Sequence, residues 1–233
     1  MASIKQIAFV IGISVILVGL IGWWIERTNQ PPELLLDTET ELEGPLSPEE
    51  LKTNNPEKTN TMNRVAVMKT NKGTIEIELF EDKMPITTGS FIKLAQEKFY
   101  DGIKFHRVID GFMIQAGDPN TKGDNVMSYG TGGPGFTIQD EFVADPLLSN
   151  VRGTIAMANT GQPNSGGSQF FINTVDNVGL DFDKEPAASK HPVFGRVIKG
   201  LDIVDAISAT EVGQRDLPVS PVIIESVTIV DAQ

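Results

Sequence analysis

The sequence predicts a mainly β domain with two helices, an antiparallel barrel or sandwich, set behind an apolar N-terminal span and an acidic linker. Three observations predict it. Most segments beyond residue 62 are short runs with strand periodicity. Only two stretches carry helical spacing, and they do not alternate with the strands as βαβ units would require. The chain has 233 residues, 40% hydrophobic and 21% charged, enough for one sizeable domain or two small ones.

The first element is the run from Ile7 to Ile25, nineteen residues without a charge, ending in Trp23-Trp24. At about 1.5 Å per residue it reaches roughly 28 Å, close to the ~30 Å hydrocarbon core of a bilayer, and the tryptophans suit an interface. A secretory signal has a shorter apolar region and a small-residue cleavage site. The flank WWIERTNQPP offers no such site, so an uncleaved anchor over residues 1–25 is expected in preference to a cleaved signal or a buried core helix. Lys5 lies before the span, whereas Glu26 and Arg27 follow it. The positive-inside rule then places the amino terminus in the cytoplasm and exports the remainder, to the periplasm or cell surface.

Residues 26–62 form the second element, an acidic, proline-containing linker. Over it nine acids face three bases, so self-repulsion and proline favour an extended chain with little apolar gain to offset it. A spacer that lifts the following domain off the membrane is the plain reading, and a docking site for a partner is the alternative. SPEE at 47–50 has the cap and first-turn proline of a short helix.

The third unit, residues 63–233, carries the β pattern. TIEIELF alternates Ile75, Ile77 and Leu79 against Glu76 and Glu78, after a turn at Asn71-Lys72-Gly73 that closes a first hairpin. PITTGSFIKLAQEKFY brings Phe91, Leu94 and Ala95 onto one helical face, with Pro85 in its first turn. KFHRVI, FMIQAGD, GTIAMAN, SQFFINT, PVFGRVI and VIIESVTIV are further strands, and GLDIVDAIS is a second helix.

Composition narrows the chemistry. The chain contains no cysteine, which removes disulfides, thiolate metal sites and cysteine nucleophiles. A net charge of -12 argues against binding a phosphate backbone, so no nucleic-acid partner is expected. GTGGPG at 130–135 lacks the lysine and hydroxyl of a P-loop and reads as a loop. His106 and His191 are too far apart for a local metal motif; with a carboxylate they could make a three-ligand site, but no metal is expected. There is no G-x-S-x-G elbow, and Ser165 and Ser168 lie in a polar turn where hydroxyls usually bond to backbone.

One stretch resists the plain reading. FHRVIDGFMIQAGD, residues 105–118, sets Arg107 and Gln115 among apolar neighbours, where a charge or an amide is costly unless something satisfies it. Together with IAMANTGQPNSGGSQFFINT at 155–174 and HPVFGRVIKG at 191–200, this stretch resembles the cyclophilin family of peptidyl-prolyl cis-trans isomerases, and the resemblance extends over nearly all of residues 63–233. It implies a closed eight-stranded antiparallel barrel capped by two helices, with a proline-binding groove on its outer face. It further implies isomerisation of X-Pro bonds in polypeptide substrates, without a cofactor. Oligomeric state stays open, with a monomeric domain expected.

The resemblance assigns roles residue by residue. Arg107 matches the catalytic arginine, and Gln115 the residue that holds it and the substrate carbonyl. Phe112, Met113 and Phe171 match the proline pocket, with Leu180 as a fourth wall. His106, Ala158, Asn159, Thr160 and Gln169 match the groove that takes substrate backbone, and His191 its rim, unless that histidine serves structure alone. Three departures are visible: Gly179 stands where many relatives have tryptophan, FDKEPAASK lengthens the segment before His191, and Gln162 lengthens the preceding loop. Two other functions remain in play, a non-catalytic chaperone or scaffold that binds proline segments and a structural envelope protein.

The implied site carries a geometric requirement. A two-residue turn at Asp110-Gly111 would set Arg107 opposite Ile114 and Gln115 opposite His106, on different faces. Convergence of the two requires a bulge or a wider turn between Val108 and Met113. The guanidinium and the amide are then expected to satisfy each other.

Overall fold

A computed structural model describes residues 63–184 and 190–232. The expected anchor and linker, residues 1–62, lie outside the described residues. Among the described residues, no helix is long and apolar enough to cross a membrane.

In chain order the elements are β1 (Val65–Thr70), β2 (Gly73–Leu79), α1 (Pro85–Gln96), β3 (Arg107–Ile109), β4 (Met113–Ala116), β5 (Thr154–Met157), β6 (Phe170–Asn173), β7 (Val193–Lys199), α2 (Leu201–Ser208) and β8 (Ile224–Val230). The eight strands make one sheet in the order β3-β4-β6-β5-β7-β2-β1-β8, and every ladder is antiparallel. The expected β content and two helices are therefore present.

The closed ring is not formed as expected. β3 and β8 are the two ends of the strand order and share no ladder, so the sheet curls into a half-barrel. The gap is spanned by bonds between the 102–105 segment, which precedes β3, and residues 222–224 at and just before the start of β8. The Phe105 N–H donates to the Val222 carbonyl at 2.9 Å, the Ile224 N–H to Ile103 at 2.8 Å and the Gly102 N–H to Ile224 at 2.8 Å. Several strands are also shorter than their apolar runs. FMIQAGD pairs only as far as Ala116, because Gly117 turns with φ +95° and approaches Ser168 so closely that an added Cβ would lie 2.2 Å from its carbonyl oxygen. Only glycine fits that crossing.

α1 packs against β7 and β8, and α2 against β2, β3 and β4. Val108, Ile114, Ile155, Phe170 and Ile172 are fully buried on the inner face of the sheet, and Phe170 meets Phe91 of α1 edge-on at 5.7 Å between ring centroids. Phe91 also contacts Tyr100 and Phe194, at 5.0 and 5.4 Å. Each such side chain contributes about 1.5–3 kcal/mol by leaving water. The other face of β3, β4 and β6 carries the site.

Candidate active site

The β3–β4 hairpin decides whether the site can exist. Its pairs are Arg107 with Gln115, Val108 with Ile114 and Ile109 with Met113, which leaves Asp110, Gly111 and Phe112 as a three-residue turn. Gly111 takes φ +68°, and the Phe112 N–H closes on the Ile109 carbonyl at 3.1 Å. The turn is thus wider by one residue than the sequence's Asp-Gly pair suggests. Directly opposed residues share a face, so Arg107 and Gln115 stand side by side. Gln115 in turn opposes Phe171 on β6, extending the row by one strand.

The expected bond between guanidinium and amide is absent. Gln115 Nε2 donates instead to Gln169 Oε1 at 3.1 Å, and Gln169 Nε2 donates to the carbonyls of Gly130 and Gly132 at 3.1 and 2.8 Å. Arg107 Nε lies 3.5 Å from the Asp216 carboxylate. A carboxylate is the stronger partner for a guanidinium than a neutral amide, and Gln169 reaches Gln115 from just before β6. Two side chains that the sequence pairs with each other are each held by a third residue.

Met113 and Phe171 lie on this same outer face yet are buried. The Phe171 ring meets His191 edge-on at 5.3 Å, and His191 Nδ1 is 3.0 Å from the Met157 carbonyl. Leu180 closes a short 3-10 turn and accepts the His191 N–H at 3.1 Å. The long FDKEPAASK segment therefore still brings Leu180 and His191 together, although residues 185–189 lie outside the described ones. The Phe112 carbonyl accepts from the Thr174 N–H at 3.1 Å and from Asn177 Nδ2 at 2.8 Å. An added Cβ at Gly179 would meet nothing within 4 Å, so the groove edge is open there.

A second cluster of assigned residues borders a cavity of about 520 Å³ lined by Gln115, Gly130, Gly132, Ala158, Thr160 and Gln169, among others. The Ala158 N–H donates to the Gln169 carbonyl at 2.9 Å. The Asn159 side chain is already committed: Nδ2 donates to the Lys190 carbonyl at 2.6 Å and Oδ1 accepts from the Gly161 N–H at 3.0 Å. The Thr160 N–H donates to Ser165 Oγ at 3.1 Å. His106 is buried, and neither ring nitrogen has a partner among the described residues. Among those residues, no group of three or more His, Asp or Glu could hold a metal ion.

The sequence left the supporting polar residues unassigned. Asp181 accepts from Ser149 Oγ at 2.6 Å and from the Asn150 N–H and Nδ2 at 2.7 and 2.9 Å. Asn150 Nδ2 also reaches the His191 carbonyl at 3.0 Å. Asn173, fully buried at the end of β6, links Asn150 to Thr154. This buried polar network fixes the loop that carries Leu180 and His191. Asp118, also buried, accepts the Gly130 N–H and so sets the loop whose carbonyls hold Gln169. A carboxylate or amide at the end of an apolar strand, as in FMIQAGD and SQFFINT, is the signal that could have found Asp118 and Asn173.

The family model described as "Cyclophilin type peptidyl-prolyl cis-trans isomerase/CLD" matches residues 65–229. The chain belongs to this family. Its activity is accordingly cis-trans isomerisation of X-Pro peptide bonds in polypeptides. The cyclophilin domain is 43% identical, over 167 residues, to "Peptidyl-prolyl cis-trans isomerase B" of Escherichia coli strain K12, covering 69% of this chain and 96% of that relative. It is 44% identical over 171 residues to a "Peptidyl-prolyl cis-trans isomerase" of Acinetobacter baylyi, covering 72% and 86%. Among solved structures, a Cryptosporidium parvum cyclophilin type peptidyl-prolyl cis-trans isomerase superposes with a TM-score of 0.62 at 27% identity, covering 73% of this chain and 99% of that one. A second structure of that isomerase, in the presence of the dipeptide Ala-Pro, gives 0.62 at 28% identity, covering 72% and 99%.

Proposed function

We propose that Arg107 is the catalytic residue and that the row Arg107–Gln115–Phe171 is the floor on which an X-Pro bond rotates. The observation that carries this is the three-residue turn, which puts the guanidinium and the amide on one face beside a buried aromatic wall. The barrier of an X-Pro bond, about 18–20 kcal/mol, arises from amide resonance. A donor close to the prolyl nitrogen favours the twisted state, in which the lone pair is localised, over both planar ones. Raising a rate near ~0.01 per second to ~10 per second takes roughly 4 kcal/mol, within reach of one preorganised cation.

Each neighbour has a part. Phe112, Met113, Phe171 and Leu180 hold the proline ring, with His191 at the rim. Gln115 uses one amide hydrogen on Gln169, so its second is left for a substrate carbonyl and its oxygen for Arg107. His106, Ala158, Asn159, Thr160 and Gln169 border the path of the substrate backbone; the satisfied Asn159 amide implies that this residue acts through its main chain. The nineteen-residue apolar run and Trp23-Trp24 support a single-pass anchor over residues 1–25. Residues 26–62 then act as a spacer, and 63–233 as an extracytoplasmic domain.

The test is a proline-peptide isomerisation assay. Arg107→Ala is expected to lower kcat/KM by about 10² or more, and Arg107→Lys to recover little, because a lysine lacks the planar fork. Full activity in Arg107→Ala would remove Arg107 from the mechanism. A wild-type chain that binds proline peptides but does not turn them over would favour the chaperone reading.

A further inference from the structure

A cavity of about 710 Å³ opens on the other side of Arg107. It shares Gln115, Gly130 and Thr131 with the 520 Å³ cavity beside Ala158, so the two adjoin on either side of these residues. Its apolar wall includes Val126, Met127, Leu217, Pro218 and Val219. Three of these are unusually open for large apolar side chains, with Met127 74%, Val219 59% and Val126 45% exposed. An apolar cluster left uncovered next to a binding groove marks a place where a ligand completes the surface.

The walls are built to stay apart. Arg215 donates from Nη1 to the Val126 carbonyl at 2.8 Å and from Nη2 to the Tyr129 carbonyl at 3.0 Å, bracing one wall against the other. Arg215 and Asp216 both take left-handed backbone, φ +62° and +58°, which is unfavourable for residues with side chains. Strain held in place by a side-chain clamp at the edge of a groove is a feature of preorganised sites. The Asp216 carboxylate is already beside Arg107, so the cavity offers aliphatic surface more than an unanswered charge.

We propose that this cavity is a second substrate subsite, which takes a large aliphatic side chain from the same polypeptide whose proline fills the main pocket. The proposal rests on the assignment of Arg107 and Gln115 to the proline site, since those residues also line the cavity. An extended peptide advances about 3.3 Å per residue, so the side chain concerned lies within about three residues of the proline. The site would make the enzyme selective for proline segments with leucine, isoleucine or methionine at that spacing.

The test uses the full-length chain and a peptide series with proline in an all-alanine background. Leucine is introduced one position at a time, from three before the proline to three after it. Isomerisation is followed by exchange NMR, and binding by chemical-shift titration. One position is expected to raise kcat/KM by about tenfold over the alanine peptide. Met127→Ser and Val219→Ser should abolish that gain and leave turnover of the alanine peptide unchanged. No gain at any position, or a gain that persists in both variants, would overturn the subsite while leaving the isomerase site intact. If no peptide is turned over, the isomerase reading of the site fails. The titration then decides the subsite alone: leucine-enhanced binding lost in the variants supports it, and equal binding overturns it.

Discussion

At His106, burial acts first to push the ring's pKa below its ordinary 6.5, and the nearby Arg107 and Arg215 add to that against the opposing pull of Asp118. His191 is lowered as well, by burial, although its bond to the Met157 carbonyl works the other way. For both rings the unfolded chain takes up a proton more readily than the folded one. Stability is therefore complete above about pH 6.5 and declines as the pH falls below it. The urea midpoint is expected to be lower at pH 5 than at pH 7.5, and His106→Phe should flatten part of that slope; equal slopes would mean that His106 titrates as freely as in the unfolded chain. The turnover rate should not follow the same curve, because the proposed mechanism moves no proton to or from either histidine. The positions of Arg107 and Gln115 were legible as a puzzle in the sequence, since burial-patterned neighbours made them costly. Their partners were not. Asp216 and Gln169 lie far along the chain, and nothing local in FHRVIDGFMIQAGD points to either.

The first helix shows the same limit for a whole element. Periodicity and Pro85 locate α1, but Met84, at its cap position, makes no side-chain bond. The free N–H groups of Ile86 and Thr87 are taken by Glu141 at 3.1 and 2.9 Å, and the Thr87 hydroxyl donates to the same carboxylate at 2.9 Å. A carboxylate at a helix amino terminus meets both the unpaired donors and the positive end of the dipole. Glu141→Ala should cost about 1–2 kcal/mol, seen as a lower urea midpoint with an unchanged slope. An unmoved midpoint would mean that water serves α1 as well. The strands divide in a similar way: alternation located TIEIELF, whereas the ends of β4 and β6 depend on a chain crossing at Gly117 and Ser168 that no local pattern encodes. The wider β3–β4 turn was deduced from the need for two side chains to meet, not from the turn sequence, whose Asp-Gly pair favours the tighter loop.

For the molecule as a whole, residues 26–62 carry about half of the -12 charge, and they separate the apolar run from the enzyme domain. With the amino terminus inside, protease added to intact cells or to spheroplasts should cut this linker and release the domain. Protection until the membrane is lysed would reverse the orientation. The half-barrel itself was only partly legible: strand and helix number follow from pattern, but closure depends on bonds from the 102–105 segment, which lies outside the named strands, to residues 222–224 at and just before the start of β8. The open space at Gly179 has a practical use. Both tryptophans of the chain are Trp23 and Trp24, so residues 63–233 contain no indole. A Gly179→Trp substitution in that domain would meet no neighbouring atom at its Cβ and would install a single indole at the lip of the proposed proline pocket. Occupancy could then be followed by the colour and intensity of indole emission, making a domain without tryptophan a direct reporter of its own ligands.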